Sequence, residues 1–195
     1  MGSNGDYDQK VFSNYKQQPE LSEEWFQYPF SDSKIKILTN IDAQTQQLLL
    51  NIFYNFTTII PEKIDDLINL TLKGVGELCG IDRCNLCWLS EDAQRMVRTN
   101  TWLREEVDYR FYVNEYVDDN ILPWSMQKMR SLEVIKVDKL SELPSEAAAD
   151  RTVFCDAGVK SLAVVPITYQ GLLLGCFGFD AILAEREWSD EIISV

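Results

Sequence analysis

The sequence predicts an α+β fold in which a central antiparallel sheet is covered on both of its faces. Three observations carry this prediction. Apolar residues recur at helical spacing over residues 64–79. From Cys84 the hydrophobic period shortens to that of strands. Two apolar runs then meet at Gly171 in "SLAVVPITYQGLLLGCFGFDA", which is typical of a hairpin buried on both faces.

Length, composition and charge limit the possible classes of protein. A chain of 195 residues with 46% hydrophobic and 25% charged residues suits one domain with an extension. The net charge of -13 argues against nucleic acid and against an anionic membrane surface as partners. The start "MGSNGDYDQK" lacks the pattern of a signal peptide, and the apolar runs are shorter than a membrane helix requires. A cytoplasmic location is expected.

The first 40 residues differ in composition from the rest of the chain. They are polar, apart from the aromatic cluster in "EEWFQYPF". Grouped aromatic residues seldom stay exposed. We therefore predict a leader over residues 1–40, partly disordered or docking through this cluster, and one domain over residues 41–195.

Two helices are predicted at the start of the domain. The first runs from Asp42 to about Thr58. The second has Pro61 in its first turn and ends at Gly80, a residue suited to the left-handed conformation beyond a helix.

The remaining elements follow from changes of period and from turn residues. We predict strands in "CNLCWLS", "MVRTNTWL" and "LEVIKVD", a short helix from Pro123 to Met129, and a helix capped by Ser145 that ends at Gly158. A hairpin over 159–168 and 172–180 follows. Ser189 then caps a further helix, which is cut short at the end of the sequence.

Residues able to carry out chemistry are few. The sequence contains no histidine, which removes the common general base and most metal sites. On a strand, Cys84 and Cys87 point to opposite faces and cannot converge on one ion. The five cysteines are therefore expected to be reduced core residues, with no catalytic residue and no metal ligand among them.

The order of elements resembles the GAF domain family from Thr45 onward. The resemblance rests on "CGIDRCNLCWLSED", "LPWSMQKMRSLEVIKV", "LSELPSEAAADR", "AGVKSLAVVPITYQGLLLGCFGFDA" and "REWSDEI". It is greatest to the GAF domains attached to bacterial sensor kinases and cyclic-di-GMP enzymes. It implies a sheet of about six strands, with terminal helices on one face and a pocket under short helices and loops on the other.

The resemblance also bears on cofactors. Light-sensing GAF domains attach a bilin through Cys-His, and the matching positions here are Ala149 and Asp150. Cys155 lies six residues later, so no covalent bilin is expected; without histidine, no haem is expected either. The Asn-Lys…Phe…Asp-Glu signature of cyclic-nucleotide GAF domains is also missing. The sequence therefore predicts no cofactor.

A pocket in such a fold would be lined by large apolar side chains. The candidates that the sequence offers are Trp102, Trp124, Met126, Phe154, Phe177 and Phe179. The same residues could instead fill a closed core, and both interpretations remain open.

The function predicted is that of a non-catalytic sensory module of a bacterial signalling protein. It would bind a small molecule and relay this through its flanking helices to a fused output domain, most simply as a homodimer. Two alternatives remain: a dimerisation and spacer domain without a ligand, and a thiol-dependent reductase, which would need an exposed pair of cysteines.

Overall fold

A computed structural model describes residues 42–58, 63–107 and 116–189. The chain divides between Asp42 and Ala43 into two units, and the fold below is that of the second. The predicted leader and the helix predicted after Ser189 lie outside the described residues. Within the described ranges, no helix is both long and apolar enough to cross a membrane.

Two helices precede the sheet, close to where the sequence predicts them. They are α1, Ala43–Thr58, and α2, Ile64–Cys79. The α1 helix lies against α2, where a Leu48 methyl group fits beside Gly74. Gly80 ends α2 at φ 63° and ψ 36°, and its N–H bonds to helix carbonyls. The expected glycine stop is therefore confirmed.

The sheet has six antiparallel strands in the order β3-β2-β1-β6-β5-β4. Their bounds are β1 Arg83–Leu89, β2 Arg95–Leu103, β3 Tyr116–Asp118, β4 Ile135–Val137, β5 Ser161–Tyr169 and β6 Leu172–Ala181. The two strands of the final hairpin occupy adjacent positions, and Gly171 takes the predicted positive φ of 78° in its turn. The α+β fold with a central antiparallel sheet is confirmed.

Two short helices follow in the second half of the chain: α3, Pro123–Arg130, and α4, Ala148–Asp156. The predicted cap at Ser145 is wrong. A 3₁₀ turn over Ser145–Ala147 precedes α4, and the Ser145 hydroxyl donates to the neighbouring Glu146 carboxylate. Proline at 144 holds the preceding backbone extended, so the chain tightens into this turn before α4 begins.

Each face of the sheet carries its own apolar core. We call the two faces the α2 face and the α3–α4 face, after the helices that cover them. The buried residues of the α2 face are Leu72, Ile81, Cys84, Leu86, Ala163 and Trp188. Those of the α3–α4 face are Met96, Met126, Met129, Ile135, Val137, Leu143, Ala147, Ala157, Val159, Leu162 and Cys176. The expectation that the final hairpin is covered on both sides is therefore confirmed.

Candidate functional site

Alternation along β1 decides which side chains face which helices. Cys84 and Leu86 belong to the core of the α2 face, whereas Cys87 and Leu89 pack on the α3–α4 face. The prediction that the strand separates Cys84 from Cys87 is thus confirmed. Side chains of β1 that act together must therefore lie on the same face of the sheet. Their partners are the side chains on that face of the neighbouring strands.

The six residues predicted to line a pocket lie on two different faces. Trp124, Met126 and Phe154 belong to the α3–α4 face. The other three, Trp102, Phe177 and Phe179, pack on the α2 face. No single pocket within the domain can be lined by all six side chains.

Tight packing characterises the three residues on the α2 face. Trp102 lies so close to α2 that a Cβ atom added to Gly76 would be 2.0 Å from its ring atom Cζ3. Phe177 and Phe179 stack with their ring centroids 6.4 Å apart and their planes 15° from parallel. These contacts join the helix to the sheet and leave the α3–α4 face as the better location for a ligand.

A buried carboxylate joins the two helices of the α3–α4 face. Asp150, in the first turn of α4, is fully buried. Its carboxylate accepts hydrogen bonds from the backbone N–H of Trp124 at 3.2 Å and of Ser125 at 2.8 Å. Because these amides belong to the first turn of α3, the carboxylate also lies at the positive end of the helix dipole. It thereby fixes the start of one helix against the other.

Replacing Asp150 with alanine should lower the free energy of unfolding by about 2–3 kcal/mol, because two buried amides lose their acceptor. Urea unfolding followed by circular dichroism measures the change. Asp156→Ala, an exposed position at the end of the same helix, is the matched control and should change stability by less than about 0.5 kcal/mol. Equal losses in the two variants would contradict the role assigned to Asp150.

Next to this cap lies a polar group without a partner. Ser125 is 7% exposed, and its hydroxyl oxygen makes no hydrogen bond within the part of the chain that the structure describes. A buried hydroxyl left unsatisfied costs free energy, so such groups usually have a partner. The residue stands between Trp124 and Met126, two of the predicted pocket residues. It is the strongest indication of a ligand contact on this face.

A polar row crosses the same sheet face at the N-terminal end of β1. The Arg83 guanidinium donates to the Asp180 carboxylate at 2.7 Å, and the Asn85 amide donates to the same oxygen at 3.1 Å. Thr101 donates in turn to the Asn85 carbonyl at 2.9 Å. Three of these residues, Arg83, Asn85 and Asp180, are buried. Asp180 is therefore part of an internal ion pair.

A second cluster, which no sequence pattern indicated, lies farther along β1. Cys87 stands directly opposite Cys176 of β6 on one side and opposite Arg98 of β2 on the other. Local patterns did not reveal the cluster because its members come from three strands widely separated in the chain. Arg98 brings a positive charge beside this pair of thiols.

An open depression of about 280 Å³ lies beside the β1–β2 turn and β3. All three acidic side chains that line it have partners: Asp92 accepts from Ser90 and the Gln94 amide, Asp118 accepts from backbone amides, and Asp119 pairs with Arg130. Over the described ranges, no three acidic, cysteine or histidine side chains are grouped so as to hold a metal ion. The residues lining the depression are Asp92, Gln94, Arg95, Tyr116, Asp118, Asp119 and Asn120.

Comparison with known proteins identifies the fold. The sequence matches the GAF domain family over residues 63–195. No curated protein sequence matches the chain at a significant level. Solved structures do match, and all of those described next are less than 20% identical, so they bear on the fold alone.

Three of these structures are representative. The phycocyanobilin-bound GAF domain of a cyanobacterial phytochrome has a TM-score of 0.63 at 17% identity, over 79% of this chain and 88% of that one. The far-red absorbing dark state of JSC1_58120g3 with bound biliverdin IXa has a TM-score of 0.60 at 16% identity, over 75% and 89%. A domain of a two-component sensor histidine kinase from Sinorhizobium meliloti 1021 has a TM-score of 0.50 at 16% identity, over 67% and 81%.

These comparisons correct the expectation that the domain takes no cofactor. Several of the similar structures are GAF domains bound to bilins. For bilins, the prediction rested on the missing Cys-His pair at Ala149 and Asp150, which concerns covalent attachment alone. Asp150 is occupied in joining α3 to α4.

Proposed function

The chain belongs to the GAF domain family, and from this premise we propose that it is a non-catalytic sensory module of a signalling protein that binds a small molecule on the α3–α4 face. The observation that carries the proposal is the buried, unsatisfied hydroxyl of Ser125. A ligand that accepts or donates a hydrogen bond there would remove the cost of burying this group.

The surroundings of Ser125 suit an extended ligand that is mainly apolar but carries acidic groups. Trp124 and Phe154 lie partly buried at the edge of the core on this face and can supply apolar contact. On the same face, Arg98 of β2 supplies a positive charge beside β1. A bilin has this combination of apolar rings and carboxylates, and bilins are bound by several structural relatives.

A relay can be argued from the contacts of the two helices. Binding beside Ser125 would bias the position of α3 and, through Asp150, that of α4. These helices pack on the sheet, and the opposite face of the sheet packs on α2, which contacts α1 through Leu48. Helices such as α1 are the route by which the module would act on a fused output domain, most simply within a homodimer.

A second candidate function, dimerisation or spacing without a ligand, is favoured by one observation. Leu50 and Tyr54 lie one turn apart on α1 and are 64% and 69% exposed. Leu70, on α2, is 58% exposed. Large apolar side chains on helices are suited to packing against a second copy.

Native mass spectrometry of the purified protein, alone and after addition of biliverdin or phycocyanobilin, tests both functions. The sensory function predicts one bound molecule per domain and a changed visible absorption spectrum. Ser125→Ala should weaken binding about fivefold, the equivalent of one hydrogen bond of about 1 kcal/mol. Ser145→Ala, at an exposed serine in the turn before α4, should leave the affinity unchanged.

The possible outcomes separate the two functions. A dimer that retains no ligand and binds neither bilin would favour the spacer function and overturn a bilin as the ligand. If the Ser125→Ala and Ser145→Ala variants bind the bilin equally tightly, the binding site does not lie at α3. Denaturation of the complex in acidic urea would show whether any bound bilin is attached covalently.

A further inference from the structure

Two cysteines of the central strands are placed to form a disulfide. Cys87 of β1 and Cys176 of β6 are directly opposed partners in an antiparallel pair. Opposed residues of such a pair have Cα atoms about 4.5–5.5 Å apart, within the range that a disulfide spans. Both side chains pack on the α3–α4 face. The pair is reduced here, and closing it would require no change of strand register.

A bulge in β2 brings a cation to this pair. The register of β1 with β2 shifts between Leu86 and Cys87, so that Cys87 is opposite Arg98 and Thr99 is the extra residue. Without the shift, Thr99 would stand opposite Cys87. Cys176, Cys87 and Arg98 consequently form a row across three neighbouring strands, with Cys87 at its centre.

The two thiols of the row differ in acidity. The hydrogen bond from Cys176, together with the charge of Arg98, holds the pKa of Cys87 below its usual value despite burial. The same hydrogen bond and burial raise the pKa of Cys176 well above its usual value. Cys87 is partly exposed, whereas Cys176 is only 7% exposed. This division of properties suits an attacking thiolate and a resolving thiol.

We propose that Cys87 and Cys176 are a redox site that a hydroperoxide oxidises to a reversible disulfide between β1 and β6. The proposal needs no bound ligand, because it requires only the sheet and its side chains. It differs from the thiol-dependent reductase considered in the sequence analysis. A reductase would turn over a substrate, whereas here the product of the reaction is the oxidised domain itself.

The chemistry balances in two steps. The Cys87 thiolate attacks one oxygen of the hydroperoxide, the O–O bond breaks, and an alcohol leaves after taking up a proton; Cys87 becomes a sulfenic acid. The Cys176 sulfur then attacks the sulfur of Cys87, the S–O bond breaks, and water leaves with the thiol proton. Two thiols lose two electrons and two protons in all, and a dithiol reductant reverses the reaction by exchange.

Oxidation would change the α3–α4 face. The disulfide cannot ionise, so Arg98 would lose a neighbouring thiol that can, and the two central strands would become covalently joined beneath α3 and α4. The redox state of the pair would thereby alter the sheet face that carries the apolar core and the buried carboxylate.

The test treats the whole protein with hydrogen peroxide and maps its thiols. The expected result is a mass loss of about 2 Da, which dithiothreitol reverses, and a peptide pair linked through Cys87 and Cys176. Differential alkylation before and after reduction identifies the same two cysteines in unaltered protein, so this measurement does not depend on any variant folding. Cys155, which is exposed on α4, is the internal reference.

Two variants examine the separate roles of the thiols. In Cys176→Ser, Cys87 should stop at the sulfenic acid and be trapped by a 1,3-diketone, whereas Cys87→Ser should form no intramolecular disulfide. Arg98→Gln should slow the oxidation of Cys87 several-fold near pH 7, because less of the thiol is ionised. The proposal is overturned if peroxide oxidises Cys155 while Cys87 and Cys176 remain open to alkylation after unfolding, or if any disulfide formed involves other cysteines.

Discussion

Replacing Gly175 with alanine is expected to lower the free energy of unfolding by about 3 kcal/mol or more. A Cβ atom at this position would lie 2.2 Å from the Cys87 carbonyl oxygen and 3.2 Å from the Trp88 Cα atom. Both are backbone atoms of the neighbouring strand, so no side-chain rotation can relieve the contact. The two central strands would have to separate at this point, or the methyl group would be excluded by a local change of register.

Gly178→Ala is the matched control, three residues along the same strand. Its added methyl group would meet only Asn85 side-chain atoms at 3.7 Å, an ordinary contact distance. Because alanine also restricts the unfolded chain, this variant should lie within about 1 kcal/mol of the parent protein. The urea midpoints of the parent protein, Gly175→Ala and Gly178→Ala measure these changes in stability. Similar losses of stability in both variants would contradict this explanation. They would show that replacing any glycine of β6 destabilises the fold, whether or not β1 approaches it closely.

The sequence was sufficient where a local signal sets the structure. The second helix ends at Gly80 because its apolar stripe stops and glycine accepts a positive φ there. The turn at Gly171 follows from the same property. Such signals involve residues that are neighbours in the chain, and single-sequence patterns report them well.

Pairing between distant strands could not be deduced in this way. The β3 strand has three residues and exists through its pairing with β2, where Met96 is opposite Val117. Both faces of β6 are apolar, so its sequence could not tell which face receives Phe177 and Phe179. That choice depends on which neighbours the strand acquires.

The candidate site was harder to predict for the same reason. The hydrogen bonds that hold α3 against α4 join Asp150 to the amides of Trp124 and Ser125, which lie 26 and 25 residues earlier in the chain. The placement of Arg98 beside Cys87 depends on a single bulge residue in β2. A shift of one residue moves a side chain to the other face, so periodicity alone could not place Arg98 beside the thiols.

The second large effect is expected at Asp180. Replacing it with alanine should lower the free energy of unfolding by about 4 kcal/mol, because the buried Arg83 guanidinium would lose the Asp180 carboxylate. The Asn85 amide would lose the same acceptor. Asp180→Asn keeps the side-chain volume and one acceptor oxygen but removes the charge. Its loss of stability should therefore lie between those of the parent protein and Asp180→Ala.

An ion pair in solvent provides the comparison for this variant. Lys128 and Glu133 approach to 2.6 Å, but their side chains are 35% and 51% exposed. Water screens such a pair, and Glu133→Ala should therefore change stability by less than about 1 kcal/mol. Arg83→Met combined with Asp180→Leu should recover much of the loss, because neither charge then remains buried alone. If Asp180→Ala proves no more harmful than Glu133→Ala in urea unfolding, water reaches the Arg83 side chain and the polar row is not a closed part of the core.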